Sequence, residues 1–346
     1  MNKKNILIGL IVVALVVVSY LNILPESGAI TILLNIGFIV AGFVFLIKGA
    51  DIFVDGASKI ATKFNIPQMV IGLTIVAFGT SLPEAAVSIK GALSGNAGIS
   101  VGNVVGSNIL NILLILGVSS CIAALAIKKN TFRIEIPFVI FVTVLMLVLG
   151  MLGGELTRID GVIFLVFMAI FMVYLVISAK NGESDDETVL TDKDTMLKLI
   201  LLVIAGAVCI VIGSDVTVDA ASYVAKQFKM SDRLIGLTIV AFGTSLPELV
   251  TSATAAKRGK VDIAIGNVVG SNIFNILFVV GIAAVISNKP ITFEAAFIKD
   301  TIVAIVAAIL LFLCVMKNKK LTKTGGVIML VCYAVYFGYI MCMNYM

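Results

Sequence analysis

Two glutamates in this chain sit in identical surroundings. Glu84 ends the segment GLTIVAFGTSLPE that opens at Gly72, and Glu248 ends the same string opening at Gly236. Each copy gathers oxygen donors inside an apolar stretch. Thr80 and Glu84 are four apart and fall on one helix face, with Ser81 beside them. Pro83 lacks an N–H and crowds the carbonyl four residues back, so it bends or breaks the helix and frees the Gly79 carbonyl. Pro247 does the same to Gly243, beside Thr244, Ser245 and Glu248. In lipid a freed carbonyl must line a cavity or find another partner, and a cation is one such partner. Carboxylate, hydroxyl and carbonyl oxygens are the ligands that hard cations such as Ca2+ and Na+ take. A carboxylate at mid-membrane costs about 3 kcal/mol on insertion scales, so two at matched positions on broken helices point to an ion site rather than to proline kinks alone.

A second block, GNVVGSNI, occurs at Gly102 and again at Gly266, at the same offset of 164 residues as the first. Its glycines are four apart, a spacing that lets helices approach closely. Asn103, Ser107 and Asn111 make a polar stripe, which Asn267, Ser271 and Asn275 repeat. Hydrogen bonding between helices would explain such a stripe without ions. The division expected here is packing by the glycines and ligation by Ser107, Asn111, Ser271 and Asn275. Lys48, Asp51 and Asp55 read as an interfacial ion pair, with Lys48 bonded to either aspartate, rather than as an ion relay.

These residues must be held by membrane-spanning helices. The chain is 60% hydrophobic and 13% charged, with a mean hydropathy of +1.15. Soluble domains are nearer half apolar and a quarter charged. Apolar runs of about 20 residues recur along the chain, and strand-type alternation is absent. The fold class is therefore an all-α polytopic membrane protein of about 11 transmembrane helices. The spans fall near 5–23, 29–50, 68–91, 99–124, 136–153, 160–179, 197–214, 234–256, 262–286, 296–316 and 325–345. The first is read as an uncleaved span, since its apolar run is long for a signal peptide. Lysine and arginine favour one set of loops 17 to 6, which places the N-terminus in the cytoplasm and the C-terminus outside, against a basic outside segment at 226–233. Without the first span there are five helices per repeat, and an odd number inverts the second copy relative to the first. The expected organisation is an extra N-terminal helix (1–28), a first repeat (29–180), a cytoplasmic acidic linker (181–196) and a second repeat (197–346). The linker's Glu183–Glu187 run lacks EF-hand spacing and reads as solvated. The five cysteines lie unpaired in apolar runs and read as packing residues, and the chain has no histidine, which removes any His-based metal site or proton relay.

The paired blocks closely resemble the α-repeats of the cation/calcium exchanger superfamily, above all its prokaryotic sodium/calcium exchangers, over about residues 29–345. The resemblance implies four central sites that hold three Na+ or one Ca2+. It implies ligands from Ala77 (carbonyl), Thr80, Ser81, Glu84, Ser107 and Asn111, and from Ala241 (carbonyl), Thr244, Ser245, Glu248, Ser271 and Asn275. It also implies that the second and seventh spans slide as a gating pair. Asn275 departs from the family pattern, where well-described members carry aspartate. The central charge is then −2, from Glu84 and Glu248 alone.

The function expected is secondary antiport in the plasma membrane, expelling Ca2+ as Na+ enters, by alternating access. The alternative is a Ca2+/H+ antiporter using the same two glutamates. A channel is disfavoured by a complete inverted repeat in one chain, and an enzyme by the lack of any hydrolase motif. The partners expected are Ca2+ and Na+ as substrates and the lipid bilayer, with no cofactor and no nucleic acid.

Overall fold

The structure, a computed structural model, describes residues 29–93, 98–181, 195–228 and 241–345. In chain order its helices are α1 (Ala29–Lys63), α2 (Gln68–Thr80), α3 (Leu82–Leu93), α4 (Ser100–Ile122), α5 (Thr131–Gly153) and α6 (Arg158–Asn181). They continue with α7 (Met196–Gln227), α8 (Ala241–Thr244), α9 (Leu246–Lys257), α10 (Val261–Ile286), α11 (Ala295–Met316) and α12 (Lys323–Tyr345). Among the described residues eight helices are long and apolar enough to cross a bilayer, or nine with the bent pair α2 and α3 taken as one span. The expected span at 5–23 and most of the acidic linker lie outside the described residues. So does the start of the span at 234–256, whose described part is α8 and α9.

The long helices differ from expectation at their ends. Spans were expected to close at 50 and 214, where charges begin, yet α1 has 35 residues and α7 has 32. At about 1.5 Å per residue α1 is about 50 Å long, well beyond a hydrocarbon core of about 30 Å. Its charged last turns therefore belong to the membrane interface, where helix geometry persists although the apolar pattern has stopped.

Burial sorts the helices into a centre and a periphery. The most apolar windows of α4 and α10 are 72% and 78% buried, against 17–33% for the other full-length spans. The two central helices are those that carry the GNVVGSNI blocks. Gly266 sits against the backbone of α2: a Cβ there would lie 2.9 Å from the Cα of Gly72, and one at Gly270 would lie 2.7 Å from the Cβ of Ala77. The close approach expected of these glycines is thus realised in the second copy. By the same relation Gly102 would face Gly236, which lies outside the described residues, and Gly106 would face Ala241, but a Cβ at Gly106 would meet nothing within 4 Å among the described residues.

The two halves are joined by contacts that come in exchanged pairs. Strand β1 (Leu125–Ala126) pairs with β4 (Lys320–Leu321), and β2 (Glu155–Leu156) with β3 (Ile291–Thr292), each antiparallel. Each ribbon joins a loop of one half to a loop of the other on the same side of the expected topology, which is what a two-fold relation between halves produces. Helices α1 and α7 lie along each other through glycines seven residues apart. Gly42 and Gly49 of α1 meet the backbone of Gly213 and Gly206 of α7. Tyr174 donates to Glu135 between α5 and α6, and Tyr336 donates to Asp300 between α11 and α12, so the matching hairpin of each half is tied by an acid–tyrosine pair.

One ion-pair expectation is corrected. Asp51 is held by Arg258 of the second half, at 2.9 and 3.0 Å, and Asp55 by Lys59 at 3.0 Å, so Lys48 is not the partner of either. Lys48 precedes Asp51 by three residues on the same helix, whereas Arg258 reaches it from the end of α9 and sets two guanidinium nitrogens, Nε and Nη2, on the one oxygen Oδ1. The five cysteines are all unbridged, in keeping with packing roles.

Candidate functional site

Helix α2 stops at Thr80 and α3 starts at Leu82, with a bend of 47° at Ser81. The same break separates α8 from α9 at Ser245. In both copies Ser-Leu-Pro-Glu has the capping-box arrangement, with the serine before the helix and the glutamate in its first turn. The Ser245 side chain nevertheless does not cap its own helix. It reaches into the other half, 3.3 Å from Glu84 Oε1 and 3.3 Å from Ser107 Oγ. Ser81 does the reciprocal, 2.9 Å from Glu248 Oε1 and 2.9 Å from Ser271 Oγ. Each glutamate stands at a helix N-terminus, where free N–H groups favour negative charge. Both are fully buried.

The second blocks complete the centre from α4 and α10. A π-turn begins at Asn111 in one and at Asn275 in the other. Such insertions re-phase a helix and are frequent at functional sites. Asn111 and Asn275 are both fully buried, as is Ser271, and Ser107 nearly so. Each asparagine gives its amide nitrogen to an asparagine of the other half, Asn111 to Asn272 Oδ1 at 3.0 Å and Asn275 to Asn108 Oδ1 at 3.1 Å.

Among the buried side-chain oxygens without a partner in the described residues, four belong to the motif residues of this centre. Glu84 Oε2, Glu248 Oε2, Asn111 Oδ1 and Asn275 Oδ1 have no hydrogen-bond partner. A buried orphan oxygen costs about 1–3 kcal/mol, more when charged. Two carboxylate and two amide oxygens suit a hard cation, which would supply the missing partner to all four. Among the described residues no cluster of three or more His, Cys, Asp or Glu forms, so the carboxylates of the centre remain two.

The remaining expected residues are placed as follows. Thr80 Oγ1 lies 2.9 Å from Asn267 Oδ1 and also within reach of the Val76 and Ala77 carbonyls. The Ala77 carbonyl accepts the Ser81 N–H at 3.0 Å. Ala241 opens α8 and Thr244, half-buried, closes it. Asn103 and Asn267, members of the polar stripes, are engaged in hydrogen bonds to the broken helices. Asn103 donates to the Glu84 carbonyl and Ser88, and Asn267 to the Glu248 carbonyl and Ser252, so both tie the broken helix to the central one.

Two points went unread in the sequence. The Gly243 carbonyl freed by Pro247 is taken by Ser214 Oγ at 2.7 Å, not left for a cation. Ser214 lies 29 residues away on α7, too far for local spacing to pair them. Asn108 and Asn272 carry no signal of their own in the block beyond its repetition. They fall off the four-residue stripe, and only their cross-half bonds reveal them.

The chain matches the family model described as sodium/calcium exchanger protein over residues 34–177 and 198–342. It is 39% identical over 309 residues to a putative antiporter, CaxA, of Alkalimonas amylolytica, which covers 87% of this chain and 96% of that protein. It is 30% identical over 343 residues to the sodium/calcium exchanger MaX1 of Methanosarcina acetivorans, covering 88% and 98%. Among solved structures it resembles the sodium-calcium exchanger NCX_Mj soaked with zero Na+ and Ca2+, with a TM-score of 0.78 and 33% identity over 89% of this chain and 99% of that one. The same exchanger soaked with 2.5 mM Na+ and 0.1 mM Ca2+ gives 0.77. A multi-pass helical membrane protein with paired acidic blocks that matches in both halves, this chain belongs to the sodium/calcium exchanger family, a family of transporters rather than enzymes.

Proposed function

We propose that this chain is a Na+/Ca2+ antiporter that expels Ca2+ across the plasma membrane as Na+ enters, with its N-terminus cytoplasmic and its C-terminus outside. Two inverted repeats, 29–180 and 197–346, share one site. Its ligands are Thr80, Ser81, Glu84, Ser107 and Asn111 with the Ala77 carbonyl, and Thr244, Ser245, Glu248, Ser271 and Asn275 with the Ala241 carbonyl.

The observation that carries this reading is the set of four orphan oxygens, two from each half, around glutamates bonded by serines of the opposite half. Two carboxylates balance one Ca2+. A site with overlapping ligands cannot hold Ca2+ and Na+ in full together, so occupancy by one excludes the other. That exclusion is what couples the two fluxes. The crossed bonds also link the halves through the site, so filling it acts on both at once. The names of the similar exchangers support Na+ as the driving ion. Two protons on the same carboxylates would neutralise the same charge, which keeps Ca2+/H+ exchange as the alternative.

The stoichiometry proposed is three Na+ per Ca2+, so that one net positive charge crosses per cycle. A charge crossing the full field is worth about 2.3 kcal/mol per 100 mV. An inside-negative potential is then expected to favour Ca2+ expulsion. The test is the reversal condition for 45Ca2+ flux in sealed proteoliposomes at several imposed potentials. A reversal condition that moves with voltage supports three to one, whereas one that does not move indicates two Na+ or two H+ per Ca2+.

A further inference from the structure

We infer that Asn108 and Asn272 fix which end of the Asn275 and Asn111 amides faces the ion. The inference rests on the reading of those two residues as ligands. A primary amide has two ends of nearly equal size and opposite polarity. A cation accepts the oxygen and is repelled by the NH2, so an asparagine ligand is useful only if something sets its orientation.

The bonds around the centre do so in sequence. A backbone carbonyl can only accept. The carbonyl of Asn272 therefore takes the Nδ2 of Asn108, at 3.1 Å, and leaves Asn108 Oδ1 as an acceptor. That oxygen takes the Nδ2 of Asn275, at 3.1 Å, and leaves Asn275 Oδ1 without a partner. The second sequence mirrors the first. The carbonyl of Asn108 takes Asn272 Nδ2 at 3.4 Å, Asn272 Oδ1 takes Asn111 Nδ2 at 3.0 Å, and Asn111 Oδ1 is left without a partner. All four side chains are at most 2% exposed, so bulk water does not compete for these bonds. Turning the Asn275 amide over would set two acceptor oxygens against each other at Asn108 and aim an NH2 at the ion. Each relay starts on one half, passes through the other and returns, so the polarity of both ligands depends on the halves being docked. A carboxylate at 275 would meet Asn108 Oδ1 with no proton to offer, so the relay suits the amide that this chain carries there.

The test is a double-mutant cycle on Ca2+ affinity, measured by equilibrium 45Ca2+ binding to the purified full-length protein. Asn275→Ala and Asn108→Ala are each expected to weaken binding about tenfold, and the double variant no more than Asn275→Ala alone, because Asn108 acts through Asn275. Asn272→Ala with Asn111→Ala is expected to repeat the pattern independently. Asn108→Leu fills a similar volume with no polar group. It is expected to weaken Ca2+ binding about as much as the alanine variant, and it serves if that variant does not fold. Losses that multiply to about a hundredfold in the double variant would overturn the inference. So would unchanged binding in Asn108→Ala, and in that case the ligand assignment survives provided Asn275→Ala weakens binding. Unchanged binding in Asn275→Ala itself removes Asn275 as a ligand, and the positioning role falls with it.

Discussion

Replacing either central glutamate by glutamine is expected to abolish Ca2+ transport while the protein still inserts and purifies. Glu84→Gln and Glu248→Gln keep the shape of the side chain and remove one of two charges in a site closed to water. Removing one member of a buried charged set costs about 3–5 kcal/mol, because its partners are left uncompensated. That corresponds to Ca2+ binding weaker by roughly a hundredfold to a few thousandfold. The two variants should be about equally impaired, since each glutamate has the same kind of surroundings: a serine from the opposite half, a helix N-terminus and one orphan oxygen. Initial rates of 45Ca2+ uptake and equilibrium Ca2+ binding check this together. Near-parental uptake by either variant would remove the proposed site.

The second large effect is expected at a glycine that is not itself a proposed ligand. A Cβ at Gly206 would lie 2.7 Å from the Phe53 nitrogen and 2.8 Å from its Cα, both backbone atoms that cannot turn aside. Gly206→Val must therefore push α7 away from α1, and overpacking of this kind costs about 1–3 kcal/mol. Glycines at Gly42 and Gly49 on α1 and at Gly206 and Gly213 on α7 make a smooth seam along which these two long helices touch. If that seam is where the helices slide, the valine should stop transport while leaving Ca2+ binding within a few-fold of the parent. Parental transport rates would show that the seam need not move, and loss of binding together with transport would show that the seam supports the site itself.

The parts of this molecule that were legible in the sequence are those with a cost that a single residue reveals. A carboxylate in an apolar span is such a residue, and Glu84 and Glu248 were marked twice over by the repeat. The bends at Ser81 and Ser245 were legible because a proline two residues on cannot donate to the helix. Partnerships between halves were not legible. Ser-Leu-Pro-Glu is locally a helix cap, and nothing within either block says that its serine bonds the other glutamate. Ser214 capturing the Gly243 carbonyl, Arg258 displacing Lys48 at Asp51, and Asn108 and Asn272 orienting their neighbours are all contacts across the fold. Helix ends were misplaced for a different reason. Hydropathy reports where the lipid stops, and α1 and α7 run on beyond it.

The central claim, that Ca2+ moves through this site in exchange for Na+, is tested most directly by 45Ca2+ uptake into sealed proteoliposomes carrying the purified protein. Three sets of vesicles are compared at clamped potential: one with an outward Na+ gradient, one with an outward H+ gradient and one with neither. Rapid Ca2+ accumulation is expected in the Na+-loaded vesicles, with its loss on collapsing the Na+ gradient and none above background in the other two sets. Accumulation driven by the H+ gradient and indifferent to Na+ would contradict the account and make the two glutamates proton carriers instead.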